Sequence, residues 1–172
     1  MNKDRGTQPF RDHWEVVMRT AQLESHEIFQ LLRPEQVNIL STAAEEVRFP
    51  AGQTVFLRGE RADDFFVVLD GQVALRMVSL DGVSVLIDEV TEGAIFGSCV
   101  CFQIDTYSLT AQCTEDSRIL KIKAATLKKL MDDDLIMGYA MQTMISRVYF
   151  KRYIDTMRKL QEIVQSIPLE AV

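Results

Sequence analysis

What this chain of 172 residues lacks narrows its function before any motif is read. Histidine occurs only as His13 and His26, both in an opening stretch that reads as helical. A helix-surface histidine is usually solvated or structural, and catalysis has little else to stand on, so no enzyme is expected. Cysteine occurs as Cys99, Cys101 and Cys113. An odd count without CxxC spacing supports neither a disulfide framework nor a zinc site. A haem or metal role would need partners that the sequence does not supply. No apolar run approaches the ~20 residues of a spanning helix. The polar start, Met1-Asn2-Lys3-Asp4-Arg5-Gly6, lacks the apolar core of a signal peptide. A cytoplasmic chain without membrane association is therefore expected. The net charge of -6 makes it a poor default binder of nucleic acid. Internal repeats and low-complexity linkers are absent as well.

The cysteines leave two readings. On a strand Cys99 and Cys101 would share a face; on a helix they would point apart. They serve either as small buried hydrophobes in a reducing compartment or as a redox pair.

What is present suits one domain: 47% of residues are hydrophobic, enough for one core at this length and short for two. Residues 1–46 read as helices. Trp14, Val17, Met18 and Ala21 give a partial helical stripe. Ser25 can cap a short helix carrying Ile28, Phe29 and Leu32, and Pro34 can open another with Val37, Leu40, Ala43 and Ala44 on one face. Residues 47–123 change character. Glycines recur at Gly52, Gly59, Gly71, Gly82, Gly93 and Gly97. Between them lie β-rich runs: Thr54 to Leu57, Phe65 to Leu69, Val73 to Val78, Val83 to Val90 and Arg118 to Ile122. Short strands closed by glycine turns predict an antiparallel sandwich or barrel, and Asp81-Gly82 predicts a hairpin. Residues 124–172 return to helix. Ala124 to Leu130 is short; Asp132-Asp133-Asp134 offers caps for a long helix, whose first turns Gly138 should weaken slightly.

The order of glycines and aromatics in the β stretch carries a resemblance. Phe49-Pro50-Ala51-Gly52 leads to Val55, Gly59, Ala62, Phe65 to Val68 and Gly71, then Gly93 and Phe96-Gly97. This resembles the cyclic-nucleotide-binding domain family, over about Ile28 to Leu130, in a catabolite-activator-like form without the DNA-binding module. The resemblance implies a mainly β fold with flanking helices: an antiparallel β-roll (a jelly-roll-like barrel) with N-terminal helices and a long C-terminal helix. It implies a phosphate-binding cassette over Ser98 to Ala111, with a cyclic nucleotide or related small ligand as occupant and no certain cofactor. In the family an arginine pairs the cyclic phosphate and a glutamate takes the ribose hydroxyl. Here Ser98 stands where the glutamate is expected and Tyr107 where the arginine is, so the cassette is degenerate. Losing a charge-assisted partner for a buried anion costs about 2–5 kcal/mol. The candidate pocket comprises Leu75, Ile87, Asp88, Gly97, Ser98, Cys99, Tyr107 and Ser108. Ser108 resembles a serine that touches the phosphate in some members. Asp88 implies either a less anionic ligand or a solvated strand residue.

The long helix carries Phe150, Tyr153, Met157, Leu160, Val164 and Ile167 at alternating spacings of three and four, a heptad seam. Met137, Met141, Met144 and Val148 form a second stripe, expected to pack on the roll. Regulators that the roll resembles dimerise through this helix, and the seam is read as a homodimer interface. Arg147, Lys151, Arg152, Arg158 and Lys159 are expected on a solvated face. Regulators of this family carry a helix-turn-helix after the long helix; the sequence ends at Val172, so no specific nucleic-acid binding is expected. The sequence is thus read as a ligand-sensing regulatory module that signals through its C-terminal helix to an unknown downstream protein. Cyclic nucleotide binding is weakened or lost; the alternative is a dimeric interaction scaffold that binds no ligand.

Overall fold

The computed structural model describes residues 8–26, 29–79 and 81–166. Ile28, Ile167 and the side chains of His13 and Trp14 lie outside the described residues. Two helices, α1 (Gln8–Ser25) and α2 (Pro34–Ala43), precede eight strands. These are β1 (Glu45–Phe49), β2 (Thr54–Phe56), β3 (Asp64–Asp70), β4 (Val73–Val78), β5 (Ser84–Val90), β6 (Ile95–Phe96), β7 (Thr110–Cys113) and β8 (Ser117–Lys123). A 3-10 helix, Ser98–Phe102, interrupts them after β6, and α3 (Ala124–Asp133) and α4 (Leu135–Ser166) follow. The strands form two antiparallel sheets, ordered β1-β8-β3-β6 and β2-β7-β4-β5. The expected β-roll with flanking helices is the fold observed. Among the described residues no helix is long and apolar enough to cross a membrane.

Side-chain alternation along β3 divides the core in two. Phe66 and Val68 point into the roll, joining Phe56, Leu75, Phe96, Ala111 and Ile119. Phe65, Val67 and Leu69 point the other way, under the helices, with Leu120, Leu127, Met137, Met141 and Met144. Because both faces are covered, this strand reads as an unbroken apolar run rather than an alternating one. Each buried Met or Leu removed from water here contributes roughly 1.5–3 kcal/mol.

The β4–β5 hairpin closes as expected, with Gly82 at φ +84° and Ser79 N donating to Val83 O at 2.9 Å. Other details differ from the sequence reading. β1 starts at Glu45, inside the segment expected to be helical. Val17 and Met18 face solvent, at 40% and 57% exposure, because α1 turns Leu23 inward instead. The Thr20 and Ser41 hydroxyls both reach Val16 O, which sets the face of α1 that meets α2. Ser25 ends α1, its hydroxyl donating back to Gln22 O at 2.7 Å; the start of the short helix expected after it lies outside the described residues. Of the three aspartates only Asp134 caps α4, its Oδ1 accepting from Ile136 N and Met137 N at 3.0 Å each. Its Oδ2 accepts from Gln36 Nε2 at 2.7 Å, tying α2 to the start of α4. Asp132 and Asp133 instead pair with Lys128 and Lys129 one turn back. Gly138 is required by packing: a Cβ there would lie 2.6 Å from Met131 O, so only glycine lets α4 cross α3 this closely.

Candidate ligand pocket

The pocket is built where α4 crosses the mouth of the roll. Gly97, at φ +70°, bends the chain out of β6 into the 3-10 helix, and Phe66 leaves no room for a Cβ there. A small cavity of about 40 Å³ remains between these elements. It is lined by Leu75, Gly97, Cys99, Tyr107 and Ser108, together with Phe56, Leu109, Tyr149 and Arg152. A water molecule needs roughly 10–15 Å³ of such space. The cavity has room for a few waters at most and cannot hold a nucleotide.

Tyr107 does not reach into the cavity as an anion ligand. Its ring stacks on Phe56 at a centroid distance of 3.7 Å, and Phe66 and Phe96 complete the aromatic group. Its hydroxyl donates to Asp64 O at 3.0 Å and accepts from Asp64 N at 3.2 Å. Burial pushes the phenol up to about 12, so it stays protonated and bound to the backbone. The base expected at this position has been replaced by a structural side chain.

Ser98 is fully buried, and its hydroxyl makes no hydrogen bond of ordinary geometry. It lies near enough to the Tyr149 phenol to oppose the upward push that burial gives that group. Cys99 Sγ lies 4.0 Å from Ser108 Oγ, a weak contact that either atom can donate. Cys99 and Cys101 fall on the 3-10 helix, neither a strand nor an α-helix. Among the described residues all three cysteines are free, and burial pushes the Cys101 thiol up to about 11. A thiol so protonated at neutral pH is a poor nucleophile.

Asp88 and Ile87 owe their places to a bulge. Leu75 pairs with Asp88 and Arg76 with Leu86, so Ile87 is the extra residue on β5. Asp88 therefore shares the inner face with Leu75 but does not itself line the cavity; it borders it through Arg152, and the two line an adjoining depression together. Ile87 also stays out of the cavity and offers its carbonyl to Lys159 Nζ at 3.1 Å. Asp88 is not a solvated strand residue: its Oδ2 accepts a short hydrogen bond from Arg152 Nε.

Arg152 corrects the reading of the basic residues as one solvated face. Its side chain is only 12% exposed. The guanidinium lies 5.6 Å from the centre of the Tyr149 ring and donates from Nη2 to Ile95 O at 3.4 Å. Tyr149 in turn packs edge-on against Phe102 of the 3-10 helix. Two side chains of α4 thus form one wall of the pocket. The sequence reading missed both, although Arg152 lies four residues beyond Val148 on the stripe that packs against the roll. A charged residue on a buried stripe was the available signal.

This is a β-roll with a small pocket walled on one side by its own C-terminal helix. Residues 46–134 match the cyclic nucleotide-binding domain, and the chain belongs to that family. It is 26% identical over 134 residues to the cAMP-dependent protein kinase regulatory subunit of Dictyostelium discoideum, covering 77% of this chain and 41% of the relative. It is 26% identical over 106 residues to a CRP-like cAMP-activated global transcriptional regulator of Mycobacterium tuberculosis, covering 62% of this chain and 47% of that protein. The chain thus spans less than half the length of these curated relatives. The sensor domain of the transcriptional regulator DNR from Pseudomonas aeruginosa has the same fold, with a TM-score of 0.67 at 20% identity over 92% of this chain and 99% of that one.

Proposed function

We propose that this chain is a ligand-sensing regulatory module, not an enzyme, in which a pocket occupant is read out through α4 and cyclic nucleotide binding is weakened or lost. The observation that carries this reading is the pocket wall made by Tyr149 and Arg152. Any ligand larger than a few waters must displace α4, so ligand occupancy and helix position are one equilibrium. The relatives named for cAMP regulation support a signalling role for the roll. Tyr107, tied to the backbone, and Ser98, without charge, support a loss of affinity for the cyclic phosphate.

The exposed seam supports a homodimer. Phe150, Tyr153, Met157, Leu160 and Val164 are 39–65% exposed on the distal part of α4. A continuous apolar strip of this kind marks an association surface, and a second α4 would cover it about a twofold axis. The downstream protein partner is unknown, and cytoplasmic action without nucleic acid or membrane contact is part of the same proposal.

Isothermal titration with cyclic AMP tests the reading. A dissociation constant well above the micromolar range is expected, and a submicromolar value overturns it. The smallness of the cavity favours a second reading, a dimeric scaffold without ligand. Native mass spectrometry separates the two: a co-purifying small molecule supports the sensor, and a bare dimer unresponsive to added nucleotides supports the scaffold.

A further inference from the structure

We infer that Arg152 supplies the anion-binding charge of this pocket, and that Asp88 occupies it as a built-in competitor which an anionic ligand must displace. The inference rests on the sensor reading of the same pocket and adds its ligand class and control.

Arg152 is the only cation among the described residues that line the cavity. The charge expected on the cassette has not vanished; it arrives from α4, on the opposite wall. The guanidinium has five N–H donors. The bonds to Asp88 and Ile95 use Nε and one hydrogen of Nη2, which leaves three donors on a residue that lines the cavity with Ser108 and Cys99. A planar fork of this kind suits a carboxylate or a phosphate equally. Asp88 is held ready for its role. Its Oδ1 accepts from Glu89 N at 2.9 Å, and the bulge at Ile87 keeps it facing inward.

The consequence is a charge filter. A neutral ligand that separates Arg152 from Asp88 leaves both charges without partners, which is costly near a pocket wall. An anionic ligand replaces one carboxylate contact by another contact of the same sign. Asp88, 35% exposed, then turns to solvent, where its charge is hydrated. The exchange also acts on the helix. Arg152 and Lys159 make the polar links from α4 to β5 among the described residues. Releasing the first leaves the distal half of α4 held to β5 by one exposed lysine. The anion thereby reaches the seam without touching it.

The test uses the whole chain and three variants, with cyclic AMP and inorganic phosphate as anionic probes and adenosine as the neutral one. Binding is measured by isothermal titration in every variant, with the Arg152 Nε–H resonance as a marker of the site where the arginine is kept, and α4 is followed by spin-label distance from the seam to β5. Asp88→Asn should tighten both anions by about tenfold or more, the equivalent of about 1.4 kcal/mol. Asp88→Glu should behave as wild type. Should Asp88→Asn fail to fold, the charge-neutral pair Asp88→Asn with Arg152→Gln still decides, since it should bind cyclic AMP no better than adenosine. Equal anion affinity in wild type and Asp88→Asn, or preserved preference for cyclic AMP over adenosine in the pair, overturns the inference. If anions shift the Arg152 signal while α4 stays in place, the charge filter stands and the sensor reading falls. If α4 moves on ligand binding in every variant alike, the sensor reading stands and the filter falls.

Discussion

The two halves of α4 obey opposite rules. Met137, Met141, Met144 and Ile145 are 0–2% exposed beneath the sheet of β3 and β8. Phe150, Tyr153, Leu160 and Val164 are each at least half exposed on the same helix. At about 1.5 Å per residue its 32 residues span some 48 Å, so the helix outruns the core that its first half covers. Between the halves sit Tyr149 and Arg152, the wall of the pocket. The contrast divides one helix in two: buried where the sheet covers it, exposed where the polar links of Arg152 and Lys159 tie it to β5.

The largest effect should come from the exposed half. Leu160→Asp removes a leucine from the seam twice by symmetry, at roughly 1.5–3 kcal/mol for each, and adds a carboxylate that resists burial. Light scattering after gel filtration should show a wild-type dimer and a mutant monomer with unchanged circular dichroism. A wild-type monomer at tens of micromolar, or an intact mutant dimer, removes the seam from the account.

The anchored half should respond in the other way. Met141 is 0% exposed between α4 and the roll, and Met141→Ala should cost about 2–5 kcal/mol of stability through the cavity it leaves. Urea unfolding measures this directly. The dimer should persist under native conditions. If Met141→Ala abolished dimerisation while stability held, the division of the helix would be misplaced.

Much of this arrangement was legible in the sequence, for identifiable reasons. Glycine turns between β-branched runs gave β3, β4, β5 and β8, because both period and punctuation were present. β6 has two residues and β7 four, too short for any period to register. The extra residue at Ile87 has no local signature, so the inward turn of Asp88 was legible only once Leu75 stood opposite it. The departures at Ser98 and Tyr107 were visible, but their consequence was not. Tyr107 looked like a weakened phosphate ligand, whereas the stack on Phe56 makes it part of the core. An arginine there would have to place its guanidinium among the rings of Phe56, Phe66 and Phe96.

That substitution of role can be measured within the roll itself. Tyr107→Phe keeps the ring and removes the hydroxyl that satisfies both Asp64 N and Asp64 O. Each lost hydrogen bond is worth about 1 kcal/mol, so a loss of roughly 1–2 kcal/mol is expected. Cyclic AMP affinity should not change, because the hydroxyl is committed to the Asp64 backbone. The phenol also predicts a pH dependence. Its folded value is raised to about 12 from an ordinary 10. Its contribution is therefore complete below pH 10 and is lost as pH climbs toward 12, a loss absent in Tyr107→Phe. A variant that kept full stability but bound nucleotide differently would return Tyr107 to the ligand site.

The smallest effect belongs to the point where the anchored half begins. Asp134 accepts from Met137 N and Gln36 Nε2, and these bonds hold its carboxylate below the ordinary range, with Arg33 assisting at 3.4 Å. A carboxyl group with a depressed folded value stabilises the protein above its unfolded value, near 3.8, and loses that contribution as pH falls through the folded value. The acid limb of the stability curve should therefore be shallower in Asp134→Asn, which keeps a capping oxygen but cannot titrate. At neutral pH the two proteins should differ little, since asparagine caps nearly as well as aspartate. Asp134→Ala removes the cap as well and should lower stability at every pH. Thermal unfolding from pH 7 down to pH 3 follows all three proteins. An unchanged acid limb in Asp134→Asn would mean that the carboxylate's bonds to α2 and α4 are already broken in solution, and that α4 is anchored by its methionines alone.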